Sequence, residues 1–421
     1  MAKIKKIFAR EILDGRGNPT IETIVILDNN LWASASVPAG ASIGEYEALE
    51  LRDGDQERFL GRGVLRACQN VNEIIAPVLI GKEVTEQKEI DKILLTLDGT
   101  KNKAKLGANA ILSVSLAVAR AGSYAQGVPL YHYLRKLYDL PLVSYELPTP
   151  LFNVINGGRH SDSGLDIQEF MIFSVFKASF REKLCHGVEM FNSLREILEK
   201  RKQTFAVGDE GGFAPKLKTT ENTLDYLVQI AHYTKHRLGS EIFFGLDVAS
   251  SVFYQKEKGL YFFEGKKRKI EKMIKIYRKL VKKYPLLFLE DPFAEDDWNA
   301  WQLFTEEILK IEPNLLIVGD DLFSGNLERV KKGIELKAAN AIIIKPNQIG
   351  SLSETIECIN FARKNNFKIV ISHRAGETND SFIADLAVAV NAEFIKAGAP
   401  NRGERIAKYN RLAEIEAELE G

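Results

Sequence analysis

Six short apolar runs in the second half of the chain each stop at a residue able to do chemistry. "FFGLD" stops at Asp247, "LLFLE" at Glu290, "LLIVGD" at Asp320, "AIIIK" at Lys345, "KIVISH" at His373 and "AEFIK" at Lys396. Three successive runs therefore offer carboxylates. Gathered at one mouth they repel one another and resist burial, unless a cation shares the site. All-oxygen ligands with no cysteine nearby suit Mg2+. One such aspartate would read as a helix cap; three on consecutive units read as a metal site. Lys345 follows four apolar residues. Desolvation beside bound cations predicts a lowered pKa there and a role as general base. The plainer alternative is a lysine whose stem runs out to the rim.

The last two runs supply the opposite charge. Arg374, next to Ser372 and His373, can grip a phosphate with two donors, and Lys396 acts as a point charge. A metal-carboxylate wall faces a cationic wall, with a lysine base between them. That layout suits a small, strongly anionic substrate losing a proton next to a carboxylate, with the enolate-like dianion held by cations. Something must then leave. "AVGDEGGFAP" offers Glu210 on a glycine-rich loop and "LDIQEFMI" offers Glu169. Two carboxylates near one leaving group can share a proton, which makes one of them a general acid. The glycines let backbone approach closely.

The spacing says what positions these residues. The six run ends are 43, 30, 25, 28 and 23 residues apart. About 25–30 residues is one strand, one helix and two loops of a parallel unit. "NLERVKKGIEL", "SLSETIECINFARKNN" and "DSFIADLAVAV" carry apolar residues at helical period. Strands that are apolar throughout are covered on both faces. Chemistry at every strand end predicts a β/α barrel. A doubly wound open sheet would gather its site at one switch point instead.

The first part of the chain reads as α+β. "IKKIFAREILD", "TIETIVILD" and "LWASASVPAG" are strand candidates. "RFLGRGVLRACQNVNEIIAPVLI" has helical spacing, and Thr85 is the expected cap of the next helix, with an imperfect capping box. "ANAILSVSLAVARA" is too short to span a bilayer, which takes about 20 residues, and reads as a buried helix. Pro141, Pro148 and Pro150 cluster between the two styles of text. The expected division is a capping domain over residues 1–139 and an eight-stranded barrel carrying the active site over residues 140–421.

Bulk properties narrow the class. Of 421 residues, Lys plus Arg and Asp plus Glu each number 57. Such balance argues against binding nucleic acid or membrane through net charge. The basic run "GKKRKIEKMIK" reads as a solvated helix face. Cys68, Cys185 and Cys358 lie far apart, so neither a disulfide framework nor a zinc-cysteine site is expected, and a reducing cytosol fits. "MAKIKKIFAREIL" has no signal-peptide core.

The text is also similar, in order and over residues 4 to 416, to the enolase family of phosphopyruvate hydratases. The resemblance rests on "DGRGNPTIE", "LGANAILSVSLA", "NGGRH", "IQEFMI", "VGDEGGFAP", "LEDPFAEDDW", "VGDDLF", "IKPNQIGSL", "ISHRAGETND" and "KAGAPNRGERIAKYN". It implies a barrel with an unusual strand order at its start. It implies a cytoplasmic homodimer or larger homo-oligomer. It further implies reversible dehydration of 2-phosphoglycerate to phosphoenolpyruvate with two Mg2+. On that resemblance Asp247, Glu290 and Asp320 hold the first metal, and Ser42 joins the second as its loop closes. Lys345 is the base at carbon 2. Glu210 is the acid, with Glu169 as its neighbour, and His160 contacts the leaving-group side. Arg374 and Ser372 bind phosphate with His373 close by, and Lys396 holds the substrate carboxylate. Ser42 and His160 rest on the resemblance alone. The chain departs from the family's pattern at Ala39, Ile43 and Ala375, where hydroxyl residues are usual, and at Gly15 and Arg159. These changes gather where lid and phosphoryl group meet. They leave open a related phosphonate or phosphorylated hydroxy acid as substrate. A binding-only protein on this scaffold would be expected to have lost Lys345 or Glu210.

Overall fold

The computed structural model describes residues 2–40, 44–141, 143–175 and 178–421. The three N-terminal strand candidates form one antiparallel sheet, β1 (Ile4–Leu13), β2 (Pro19–Leu27) and β3 (Trp32–Ser36). Helix Ala108–Gln126 packs on β2 and β3 and is buried along nearly its whole length. Its apolar sequence is thus a core helix, closed by Gly127 in the left-handed region.

Two local expectations need correction. Residues 58–80 do not form one helix. A short turn at Phe59–Gly61 comes first, and the helical run starts at Leu65 and widens over Asn70–Ile75. Gly61 and Gly63 interrupt the first part, and Pro77 cannot donate to the helix ladder just beyond the widened turn. Thr85 does not cap the next helix, which starts at Gln87 behind Glu86 with no side-chain cap. Gln87 instead spends its amide on Asp91 and Ser115, pinning that helix start to its neighbour.

The second part is a closed eight-stranded barrel. Its staves are β4 (Thr149–Asn156), β5 (Glu169–Ser174), β6 (Ile242–Asp247), then β10 (Leu286–Glu290), β11 (Leu316–Gly319), β12 (Ala341–Ile344), β13 (Lys368–Ser372) and β14 (Phe394–Lys396). β14 closes onto β4. Closure rules out the doubly wound sheet. β5 runs antiparallel to both β4 and β6, while every other pairing in the barrel is parallel. A small sheet, β7 (Tyr254–Gln255), β8 (Leu260–Phe263) and β9 (Lys266–Arg268), lies between β6 and β10 in sequence. The three helical texts form helices at Leu327–Glu335, Leu352–Lys364 and Phe382–Ala389. Leu151, Met171, Phe173, Phe288, Val318, Ala341, Ile343 and Val370 pack the barrel interior. The barrel is therefore solid, and its open space lies at the mouth.

The cap is stitched to the barrel by specific bonds. Arg120 donates to both oxygens of Asp380 at 2.9 and 2.7 Å. Gly15 N donates to the Glu377 carbonyl at 2.7 Å, and Ala39 and Gly376 exchange two backbone bonds of 2.9 Å. Among the described residues no helix is long and apolar enough to cross a membrane.

Candidate active site

Strand register assembles the mouth. Glu169 lies opposite Asp247, and Asp247 opposite Glu290, across β5, β6 and β10. Ser372 lies opposite Lys396 across β13 and β14. Asp320 follows β11 directly, and Lys345 follows β12. Together with Glu210 and Arg374 they border a cavity of about 400 Å3, except that Glu290, fully buried, lies beneath its lining.

Lys396 stands among the carboxylates. Its Nζ is 3.1 Å from Asp247 Oδ2, 2.9 and 2.8 Å from the two oxygens of Glu290, and 3.2 Å from Glu169 Oε1. Burial works to discharge this ammonium, but the surrounding carboxylates push its pKa well up. Even so, burial and the Asp247 charge push Glu290 well above the ordinary carboxylate range. More negative charge gathers here than one lysine balances. Oxygen donors of Asp247, Glu290 and Asp291 lie within 4.8 Å of one another, as do those of Asp291, Asp320 and Asp321. This buried, all-oxygen, charge-rich set fits a hard divalent cation. Asp291 and Asp321 were not among the residues expected here. Asp291 accepts the backbone N–H groups of Asp320 at 3.1 Å and Asp321 at 2.8 Å, so it holds the end of β11 in place. The doubled acids in "LED" and "GDD" were the signal for both.

Lys345 forms an ion pair with Asp320, whose other oxygen accepts from Gln348 Nε2 at 3.3 Å. The expected lowering of the Lys345 pKa drew on bound cations as well as desolvation, and the protein's own groups do not produce it. Burial acts in that direction, but Asp320 outweighs it and the value is raised.

The acid side is a three-residue group. His160 Nδ1 lies 3.7 Å from both Glu169 Oε1 and Glu210 Oε1. Asn153 donates to Glu210 Oε2 at 3.0 Å. Burial and the Glu210 charge push Glu169 well up. Burial also acts on Glu210, yet His373, His160 and Arg405 around it hold it well down. Their surroundings thus push the two carboxyls in opposite directions, Glu169 up and Glu210 down.

On the cationic side Arg374 pairs with Glu47 at 2.8 Å, and Ser372 Oγ donates to the His373 carbonyl at 3.1 Å. His373 Nε2 faces Glu210 Oε1 at 3.4 Å. Behind it, Arg405, fully buried, sits 2.6 Å from His373 Nδ1 and donates to the carbonyls of Arg374, Ala375 and Asp209. Sequence reading missed both Glu47 and Arg405. Glu47 lies a few residues past Ser42 with no pattern to single it out, and nothing in "NRGERIAKYN" marks which arginine is buried. Ser42 and Ile43 lie outside the described residues. Ala39 is tied to Gly376, one residue from Ala375, so two of the departures adjoin. Arg159 lines the cavity at its exposed rim.

Comparison with known families gives two matches. One family model, described as the enolase N-terminal domain, matches residues 4–134. A second, described as the enolase C-terminal TIM barrel domain, matches residues 144–421. Between them they span nearly the whole chain.

Proposed function

The chain belongs to the enolase family, and from that premise we propose that it dehydrates 2-phosphoglycerate reversibly to phosphoenolpyruvate in the presence of Mg2+. One observation supports this most. Lys345 and the Glu169–Glu210 pair border the same cavity as Asp247, Asp320 and Arg374. A base, an acid, a cation site and an anion grip thus serve one small space.

In this reading Lys345 takes the proton from carbon 2. The His160–Glu169–Glu210 group returns a proton to the departing hydroxide, water leaves, and the carbon–carbon double bond forms. Arg374 and Ser372 hold the phosphate with His373 alongside, and Lys396 holds the carboxylate. Asp247, Glu290 and Asp320 would hold one Mg2+ and Ser42 would join a second; bound there, the ions supply positive charge to the substrate carboxylate as it gains electron density. We further propose a cytoplasmic homo-oligomer that takes a small phosphorylated acid and has no nucleic-acid or membrane partner. The test is turnover of 2-phosphoglycerate by purified protein, with and without Mg2+, read as ultraviolet absorbance of the enol product.

The adjoining Ala39 and Ala375 favour one second reading, a phosphonate analogue or another phosphorylated hydroxy acid as the preferred substrate. Comparing kcat/KM for 2-phosphoglycerate and its phosphonate counterpart separates the two. A strong preference for the former removes the second reading.

A further inference from the structure

One neutral side chain joins the anion grip to the base. Gln348 sits on the short helix Pro346–Ile349, just after Lys345. It is 3% exposed and lines the cavity. Its backbone is fixed on both sides. Its N donates to the Lys345 carbonyl at 2.9 Å, and its own carbonyl accepts from Ala48 N of the cap at 2.8 Å. The side-chain Nε2 donates to Asp320 Oδ1 at 3.3 Å and to Glu47 Oε1 at 3.4 Å. An amide nitrogen carries two hydrogens, and two carboxylates use them. Asp320 in turn pairs with Lys345, and Glu47 with Arg374. A line of contacts therefore runs Arg374–Glu47–Gln348–Asp320–Lys345. Gln348 Oε1 is shielded from solvent and has no hydrogen-bond partner among the described residues. An orphaned buried acceptor is costly, yet the flipped amide would be worse, since it would turn that acceptor toward two carboxylates.

From these contacts we propose that Gln348 is a positioning residue, one that fixes the base and the anion grip relative to each other. The proposal rests on the reading above, in which Lys345 is the base and Arg374 grips the phosphate. Gln348 acts through the two carboxylates. On one side it engages Asp320 Oδ1 while the other oxygen of Asp320 stays on Lys345, so the base is held in one place. On the other side it shares Glu47 with Gly44 N and Arg374. Glu47 and a phosphoryl group compete for the same guanidinium. A second donor that draws on Glu47 weakens its hold on Arg374 and favours the phosphoryl group.

Gln348→Met keeps the length of the side chain and removes both donors. Turnover of 2-phosphoglycerate in saturating Mg2+ is measured for wild type, Gln348→Met, Glu47→Gln and the double variant. Calorimetry measures binding of inorganic phosphate to the same four proteins. Gln348→Met is expected to lower kcat by about tenfold, the scale of a lost hydrogen bond to a charged group, while its melting curve shows a folded protein. KM and the phosphate Kd are expected to rise by about threefold, a fraction of that scale. Those rises should vanish in the Glu47→Gln background, where no carboxylate competes for Arg374, and the fall in kcat should persist. A merely structural role would move KM equally in both backgrounds. Unchanged kcat in folded Gln348→Met, or an equal KM rise in both backgrounds, overturns the proposal and leaves the reading of function standing. No turnover by wild type overturns that reading instead. Phosphate binding then decides alone, and a Kd equal or equally undetectable in wild type and Gln348→Met overturns the proposal. Should Gln348→Met fail to fold, Gln348→Glu has the same shape and sets a third carboxylate against the other two. Wild-type kcat in that variant overturns the proposal by itself.

Discussion

Arg405 fixes the tautomer of His373. Its Nη1 stands 2.6 Å from the ring Nδ1, and a guanidinium can only donate. Nδ1 must then accept, so the ring proton sits on Nε2, which faces Glu210 Oε1 at 3.4 Å. Burial pushes the His373 pKa down to about 4, so the ring is neutral near pH 7. Arg405→Lys keeps the charge and loses the planar fork. We expect kcat to fall by about tenfold, the scale of one misdirected hydrogen bond to a charged group, with a smaller change in KM. Nitrogen NMR should show the Nε2–H form in the wild type from pH 8 down to about 5, and a tautomer mixture in the variant. Lost activity with an unchanged His373 spectrum would reduce Arg405 to a structural role.

The seam between cap and barrel is sensitive to acid. Burial acts to raise the Asp380 pKa, but Arg120 and two backbone N–H groups, of Ser36 and Phe382, hold it below the ordinary value. A carboxylate depressed on folding adds stability above its unfolded pKa of about 3.9, and that stability is lost as pH falls through the lower folded value. Asp380→Asn leaves Arg120 buried without its counter-charge and is expected to cost about 3–5 kcal/mol at pH 7. Thermal melts at pH 7 should show the loss, and the gap to wild type should narrow below about pH 4. A gap independent of pH would mean the pair adds no charge-linked stability.

Gly376 is a point where no side chain fits. A Cβ there would lie 2.3 Å from Asp14 Oδ2 and 2.8 Å from the Ala39 carbonyl. Gly376→Ala therefore forces apart the paired segments that carry Ala39 and Ala375. We expect about 1–3 kcal/mol of destabilisation, together with a raised KM for the anionic substrate. A variant with wild-type KM would show that the pairing does not shape the anion side.

Ala375 tests substrate choice. It is 6% exposed and lines the cavity beside Arg374. Ala375→Ser adds one donor, worth about 0.5–1.5 kcal/mol if it meets the phosphoryl oxygens. KM for 2-phosphoglycerate is expected to fall by about 2- to 10-fold on that scale. An unchanged or raised KM would place the phosphoryl group elsewhere.

The barrel was legible because six of its seven parallel strands end, toward the mouth, in a residue their apolar text does not explain. Asp247, Glu290, Asp320, Lys345, His373 and Lys396 share that grammar. Glu169 does not. β5 runs backwards, so Glu169 reaches the mouth from the start of its strand, and a rule about strand ends passes over it. Glu47 and Arg405 come from the cap and the last helix, and their roles depend on distances of 327 and 32 residues along the chain. No local pattern encodes such contacts. The direct partner of Lys345 was hidden for a related reason. Desolvation could be read from four apolar neighbours, but the direct Asp320 partner lies 25 residues away.

The base assignment carries the whole account. The decisive measurement is the ultraviolet signal from 2-phosphoglycerate with wild type and Lys345→Ala, each with Mg2+ and each with a metal chelator. Wild type with Mg2+ should turn over, and chelator should abolish it. Lys345→Ala should fall by at least about a hundredfold, the lower scale for a general base, while its melting curve still shows a folded protein. Turnover by a folded Lys345→Ala variant near the wild-type rate, or none by well-folded wild type with Mg2+ bound, would contradict it.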